Sequence, residues 1–227
     1  MIQGWRRLAR SVPINLHAVP NWCPAGVAYA SERIDAADLD ERAAAVGIAV
    51  YRENVVERRR REFLAGRLAA RQALKAAGAG SLVVGRTGSA PLWPADTVGS
   101  ISHSGAVAAA VAAPRPCWRA LGLDIEGLIQ DRRIAVVQRV MRPGERSAAQ
   151  TIDDPWIWTR IWCAKEAAYK CLSALGVDAD LADLVPHWQS PGRGSLLAWV
   201  DAEAVQLALH WQRQESLLWM LASMPAQ

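Results

Sequence analysis

Glu166 and Lys170 stand four residues apart in W-C-A-K-E-A-A-Y-K, from Trp162 to Lys170, so on a helix an acid and a base share one face. Upstream, L-G-L-D-I-E carries Asp124 and Glu126. On a strand, residues two apart point the same way, which sends both carboxylates to one side and Leu121, Leu123 and Ile125 to the other. Either pair alone is ordinary: an i, i+4 Glu–Lys pair is a common surface contact, and D-x-E is usually a solvated strand face. Together they supply three carboxylates with no neighbouring Cys or His ligand, a set that suits a hard cation such as Mg²⁺. A lysine on the same helical face suits a phosphate held against that cation.

Two further segments point to an anionic ligand. G-S-I-S-H-S, Gly99 to Ser104, offers small residues, alternating hydroxyls and one imidazole. Such a strand end can present backbone N–H groups, Ser102 and His103 to a phosphate. Ser102 beside His103 is not a hydrolase triad, and no G-x-S-x-G occurs. R-R-R-R-E-F-L-A-G-R-L-A-A-R, Arg58 to Arg71, places Arg60, Arg67 and Arg71 on one helical stripe. Arg67 and Arg71 neighbour apolar positions, where a bound phosphate would explain them.

The elements that must position these groups follow from periodicity and breakers. Helices are predicted over residues 36–46, 53–77, 131–140 and 155–175, the second with an apolar stripe of Val56, Phe63, Ala70 and Leu74. Strands are predicted over 81–84, 99–103, 106–113, 120–125, 195–200 and 216–221, with 202–212 open between helix and strand. Residues 1–30 show no firm periodicity. The order is not the strict alternation of a doubly wound sheet, so an α+β protein of two similar halves, 1–120 and 121–227, is expected.

With 227 residues and 52% hydrophobic composition, the chain can bury a generous core. Its longest apolar run, near Gly105 to Ala113, is too short to span a bilayer, and the first residues lack the apolar core of a secretory signal. Cys23, Cys117, Cys163 and Cys171 show no C-x-x-C spacing and read as reduced thiols of a cytoplasmic protein. The net charge of +4 suits an anionic ligand or an acidic partner. Eleven Trp against one Phe imply that Trp takes over Phe's packing work, with some left to line a pocket or partner surface.

In order and spacing, R-R-x-E-F-L-A-G-R-L-A-A-R, P-L-W-P (Pro91 to Pro94), G-S-I-S-H, L-G-L-D-I-E and W-C-A-K-E-A-A-Y-K resemble the 4′-phosphopantetheinyl transferases. The likeness is to the surfactin-type class and its enterobactin synthetase component D branch, and it spans about half of the chain, residues 58 to 170. The resemblance implies a pseudo-twofold, two-lobed fold, each half a small antiparallel sheet on a long helix, with coenzyme A in the cleft between them. It implies Mg²⁺-dependent transfer of 4′-phosphopantetheine to a serine of an acyl or peptidyl carrier protein, releasing adenosine 3′,5′-bisphosphate. By position, Asp124, Glu126 and Glu166 resemble the metal ligands, with Glu166 also the route for the serine proton. Lys170 or Lys165 would act on the pyrophosphate, Ser102 and His103 would contact coenzyme A phosphates, and Arg67 with Arg59 or Arg60 would hold the 3′-phosphate. Family register favours Arg59 and helical phase Arg60. Arg86 stands one position out of register with a further basic residue of the family.

The expected partner is an acidic carrier domain, docked on residues 128–142 through Arg132, Arg133 and Arg139, with Ile134 and Val137 for apolar contact. Both halves lie in one chain, so a monomer is expected, with no nucleic acid and no membrane span. Two other functions use parts of the same pattern. A Mg²⁺-dependent phosphohydrolase would use the acidic site but leaves the arginine helix and G-S-I-S-H unexplained. A basic nucleic-acid module would use the Arg58–Arg61 run and need neither Asp124 nor Glu126.

Overall fold

The computed structural model describes residues 22–48, 56–88, 90–200 and 203–226. β1 (Ala28–Arg33), β5 (Val107–Pro114) and β4 (Thr97–Ser104) form a three-stranded antiparallel sheet in that order. β6 (Trp118–Gly127), β10 (Leu217–Pro225), β9 (Glu203–Gln214), β8 (Arg193–Val200) and β7 (His187–Ser190) form a five-stranded one. A short ribbon pairs β2 (Gly85–Thr87) with β3 (Ala90–Leu92). The helices are α1 (Leu39–Ala45), α2 (Glu57–Ala76), α3 (Arg132–Arg139), α4 (Pro143–Gln150) and α5 (Ile157–Ser173), with a 3₁₀ turn at Leu181–Asp183. The α+β expectation holds.

Period-2 alternation explains the layering. Ala110 and Ala112 of β5 face Ala69, Ala70, Ala73 and Leu74 of α2. Val107, Ala109, Val111 and Ala113 face the other way, onto Leu121, Leu123 and Ile125 of β6 and Trp219 and Leu221 of β10. The opposite face of the second sheet, including Ala120, Met220 and Ala222, packs on Cys163, Ala164, Ala167 and Cys171 of α5. The layers therefore run α2, first sheet, second sheet, α5. Small residues let each helix approach closely. A Cβ on Gly66 of α2 would lie 2.9 Å from Ile101 Cγ2, and one on Gly122 of β6 would lie 1.9 Å from Ala167 O of α5. Gly122 is thus the point where α5 touches the sheet, two residues from Asp124.

Some predicted elements need correction. Residues 81–84 are not a strand: no neighbouring strand offers them backbone partners, and Leu82 and Val84 rest on the α2 side of the core instead. Of the open 202–212 stretch, residues 203–212 are part of strand β9, because β8 and β10 flank them on both sides. β1 and α4 lie where no element was predicted. The predicted start of the second helix at residues 53–55 lies outside the described residues, and Val56, assigned to its apolar stripe, is 73% exposed. The four cysteines are free thiols. Among the described residues, no helix is long and apolar enough to cross a membrane.

Candidate active site at the junction of the two sheets

β4 lies against β6, and one hydroxyl joins them. Ser102 Oγ donates to Asp124 Oδ1 at 3.1 Å and accepts from the Ile125 N–H at 3.2 Å. Lys170 of α5 completes the junction: its Nζ donates to Asp124 Oδ1 at 2.7 Å, to Leu123 O at 3.1 Å and to Ser102 Oγ at 3.4 Å. A hydroxyl from one sheet and an ammonium from α5 therefore meet on one carboxylate oxygen of the other sheet. The other oxygen, Asp124 Oδ2, is buried and accepts no hydrogen bond. An anionic oxygen left bare in a buried place is costly unless a cation or donor reaches it.

Glu166, one turn before Lys170, belongs to the same site. Burial raises its pKa, Lys170 pulls it back, and the charges of Asp124 and Glu126 push it further up. Glu126 is held by Arg133 of α3 at 2.9 Å. The three carboxylates are close enough to repel one another, and Lys170 and Arg133 balance part of that charge. Among the described residues, no three acidic, His or Cys side chains are gathered into a ready ligand set. Beneath Asp124 sits Cys163 of α5, whose thiol is raised well above its usual pKa, first by burial and then by the Asp124 carboxylate.

Across β4 the alternation turns His103 the other way, toward α2. There Arg59, Glu62, Phe63, Gly66, Arg67, Pro91, Ile101 and His103 line an open cleft of about 280 Å³. Arg67 lies over the Phe63 ring, 5.1 Å from its centre, and donates to Val84 O at 3.2 Å. Arg59 and Arg60 differ in their surroundings, although both are paired, Arg59 with Glu62. Arg59 lines this cleft, whereas Arg60 turns to Asp40 and Glu57. Burial lowers the His103 pKa, Glu62 opposes that, and Arg59, Lys170 and Arg58 lower it further. An anion in the cleft would oppose that shift and favour the protonated imidazole.

Two predicted site residues are placed elsewhere. Lys165 is fully buried on the far side of α5, where its Nζ donates to Leu184 O at 2.8 Å and Leu181 O at 3.0 Å and pairs with Glu145 of α4 at 3.0 Å. One helical step of 100° from Glu166 is enough to send it away. Arg86 is exposed on β2 and donates to Gly88 O, although its ladder partner Pro91 lines the cleft.

The sequence reading missed Glu62, Arg133 as the partner of Glu126, and Cys163. Glu62 is 4% exposed in the cleft wall and binds Arg58 at 2.8 Å and Arg59 at 3.0 Å. Its i−3 and i−4 arginines were the available signal. All four guanidiniums of the Arg58–Arg61 run have such partners, Arg61 donating to Ile34 O and Ala36 O. On α3, Val137 is in the core at 1% exposure, so it is not a docking contact as expected; Val136, at 48%, is the exposed apolar residue.

Comparison with known proteins places both sides of this junction. Residues 42–113 match the model of the 4′-phosphopantetheinyl transferase N-terminal domain, and residues 120–218 match that of the 4′-phosphopantetheinyl transferase superfamily. Enterobactin synthase component D of Escherichia coli O157:H7 is 30% identical over 170 residues, covering 71% of this chain and 75% of that protein. The 4′-phosphopantetheinyl transferase Npt of Nocardia iowensis is 37% identical over 117 residues, 51% of this chain and 52% of its own length. 4′-Phosphopantetheinyl transferase PptT of Mycobacterium tuberculosis is 35% identical over 121 residues, again about half of each chain (51% and 52%).

Proposed function

The chain belongs to the 4′-phosphopantetheinyl transferase superfamily, and from that premise we propose that it transfers the 4′-phosphopantetheine arm of coenzyme A to a serine hydroxyl of an apo acyl or peptidyl carrier domain. The observation that carries this reading is the bare, buried Asp124 Oδ2 at a junction already holding Lys170, Ser102 and Glu166. It is a place for a cation with a polyanion beside it. The chain is read as two pseudo-twofold halves, 1–120 and 121–227, one functional unit with its ligand between them. The likeness to enterobactin synthase component D favours a carrier of siderophore or other nonribosomal peptide synthesis, with polyketide carriers open to the same chemistry.

Asp124, Glu126 and Glu166 would hold Mg²⁺, which when bound would neutralise charge on the coenzyme A pyrophosphate. The residue types fit that role: one oxygen of Asp124 is bare, and the protein cations on its other oxygen and on Glu126 are ones that a metal would replace. Arg133 would give up Glu126 and Lys170 would turn its ammonium to the pyrophosphate. In the reaction, the serine oxygen bonds to the β-phosphorus, the bond from that phosphorus to the bridging oxygen breaks, and adenosine 3′,5′-bisphosphate leaves. Glu166 takes the serine proton, directly or through a water, and burial, by raising its pKa, favours that uptake. Arg59 and Arg67, with His103, face the cleft in which the 3′-phosphate would lie. Arg132, Arg133 and Arg139 of α3, with Val136, offer a basic edge to an acidic carrier.

The deciding experiment incubates the protein with coenzyme A, Mg²⁺ and apo carriers of the acyl and peptidyl kinds and weighs each carrier intact. A gain of one phosphopantetheine, lost in Asp124→Ala and Glu166→Ala, is the expected result. No gain on any carrier would sink the proposal.

A further inference from the structure

Asp124 and Glu126 are two residues apart on β6, yet they are held by different parts of the protein. Asp124 is buried and takes Lys170 of α5. Glu126, near the end of β6, has a side chain 20% exposed and takes Arg133 of α3, whose own side chain is 55% exposed. The contact is made at one point. Arg133 Nη2 donates to Glu126 Oε1 at 2.9 Å, without the second prong that an arginine–carboxylate fork supplies. An ion pair this exposed is weak, so the guanidinium can pass from one carboxylate to another at little cost.

The surroundings of Arg133 show from which side a second carboxylate would arrive. Arg132, Val136 and Arg139 stand at i, i+4 and i+7, so they share one face of α3, and all three are exposed. Val137 turns the other way, into a cluster with Ile129 and Ile161. Arg133 lies between these two faces, one helical step from Arg132. The approach to α3 is pinned, because the buried Ile129 N–H donates to Thr159 Oγ1 of α5 at 2.7 Å. The backbone is therefore fixed, and the arginine side chain is what can change partner. Among the described residues, Arg132 and Arg139 pair with no carboxylate, whereas Arg133 is engaged by Glu126. An acidic surface laid on the exposed face would meet two open cations and, at their border, a third that it must share.

We propose that Arg133 is a positioning residue that couples carrier docking to metal binding. An acidic side chain of the docked carrier draws the guanidinium off Glu126, and the released carboxylate joins Asp124 and Glu166 as a ligand for the cation. This coupling rests on the proposed transferase reading and gives it an order of assembly. Before docking, Arg133 and the cation compete for one carboxylate; after docking they do not. By linkage, the carrier raises metal affinity and the metal raises carrier affinity by the same factor. That factor is expected to be about three- to fivefold, the scale of one exposed ion pair.

The test measures binding rather than turnover. Mn²⁺, which suits the same oxygen ligands, is titrated into the protein without coenzyme A, and free Mn²⁺ is followed by electron paramagnetic resonance. The titration is repeated with a saturating carrier that the mass assay shows to be modified, its acceptor serine replaced by alanine, and corrected for Mn²⁺ bound by the carrier alone. The wild type is expected to bind Mn²⁺ about three- to fivefold more tightly when the carrier is present. Arg133→Gln should show the tighter affinity without the carrier and gain nothing on its addition. Arg132→Gln removes the same charge from the neighbouring position and should keep the wild-type response. A carrier response that persists in Arg133→Gln, or an Arg132→Gln protein that behaves like Arg133→Gln, would overturn the role of Arg133. Mn²⁺ binding that Asp124→Ala removes but the carrier leaves unchanged would overturn the coupling and spare the transferase reading. Mn²⁺ binding that is absent, or that survives Asp124→Ala, would overturn the metal site and the coupling with it.

Discussion

α2 and α5 do the same mechanical work on two different sheets, yet they handle charge in opposite ways. Each presses a glycine contact and a stripe of alanines into its sheet. At α2 the charges are arginines gathered at the exposed end, tied to carboxylates on the same helix or on Asp40; Arg58 and Arg59 keep 77% and 71% of their side-chain surface in water. The arginine ends of these pairs are solvated and exchangeable, although Glu62 itself is buried. At α5 the lysines are committed inward, Lys165 to Glu145 and Lys170 to Asp124, in surroundings where breaking a pair is costly. The first half is therefore suited to gripping an anion that competes with Glu62. The second is suited to holding carboxylates in fixed places.

The sharpest way to break that comparison is Gly122→Val. Its side chain would run into backbone atoms, Ala167 O and Cys171 N, which cannot step aside without moving α5. Loss of cooperative unfolding is expected, or destabilisation of more than about 3 kcal/mol, above the usual overpacking range. A variant with wild-type thermal stability would show that α5 is not seated on β6 there. Next comes Asp124→Ala. Removing the carboxylate that gathers Ser102 and Lys170 should lower carrier modification about a thousandfold, the size of several kcal/mol of lost charge stabilisation. Retention of a tenth of the activity would move the centre elsewhere.

Glu62→Gln tests exchangeability on the α2 side. Freed of their competitor, Arg58 and Arg59 should lower the KM for coenzyme A about threefold while kcat holds, the scale of an exposed ion pair. A raised KM would show that Glu62 orients Arg59 for the ligand instead. Gly66→Ala is the counterpart of Gly122→Val, and a change within about 1 kcal/mol is expected. The obstructing atom is a single side-chain methyl, Cγ2 of Ile101, and not backbone, and alanine is the better helix former.

The smallest effect is one of pH. Burial puts the folded-state pKa of His103 below its ordinary value of 6.5, and that of His210 likewise. Between the folded and ordinary values the unfolded chain binds more protons, so stability is fully present above the ordinary value and falls as pH drops through that window. Urea midpoints should decline from neutral to mildly acid pH, and His103→Gln should flatten part of the decline. An unchanged slope would mean that His103 is as solvated as in the unfolded chain.

Much of the fold was legible because its signals are local. The bounds of α1, α3 and α5, and strands β4, β5, β6, β8 and β10, follow from period, breakers and length, as the 106–113 run shows: Gly105 and Pro114 made it a strand despite its alanines. β1 was not legible, since it pairs with the distant β5, and β9 stayed open because its residues suit helix and strand alike until β8 and β10 flank it. The site was legible in part for a related reason. Motif spacing pointed to Asp124, Glu166 and Lys170, but one residue of helical rotation separates Lys165 from Glu166 and sends it to the other side of α5.

By itself the sequence determined which chemistry was present: three carboxylates, a lysine one turn from one of them, an arginine helix, and the order of motifs that marks the superfamily. Only the tertiary structure decided which of those groups share a space. It put Arg59 in the cleft wall and Arg60 on Asp40, took Lys165 away to Glu145, and left one oxygen of Asp124 bare. Side-chain type and helical period are properties of the chain alone, whereas desolvation and partner choice arise only when elements distant in sequence close around the same few ångströms.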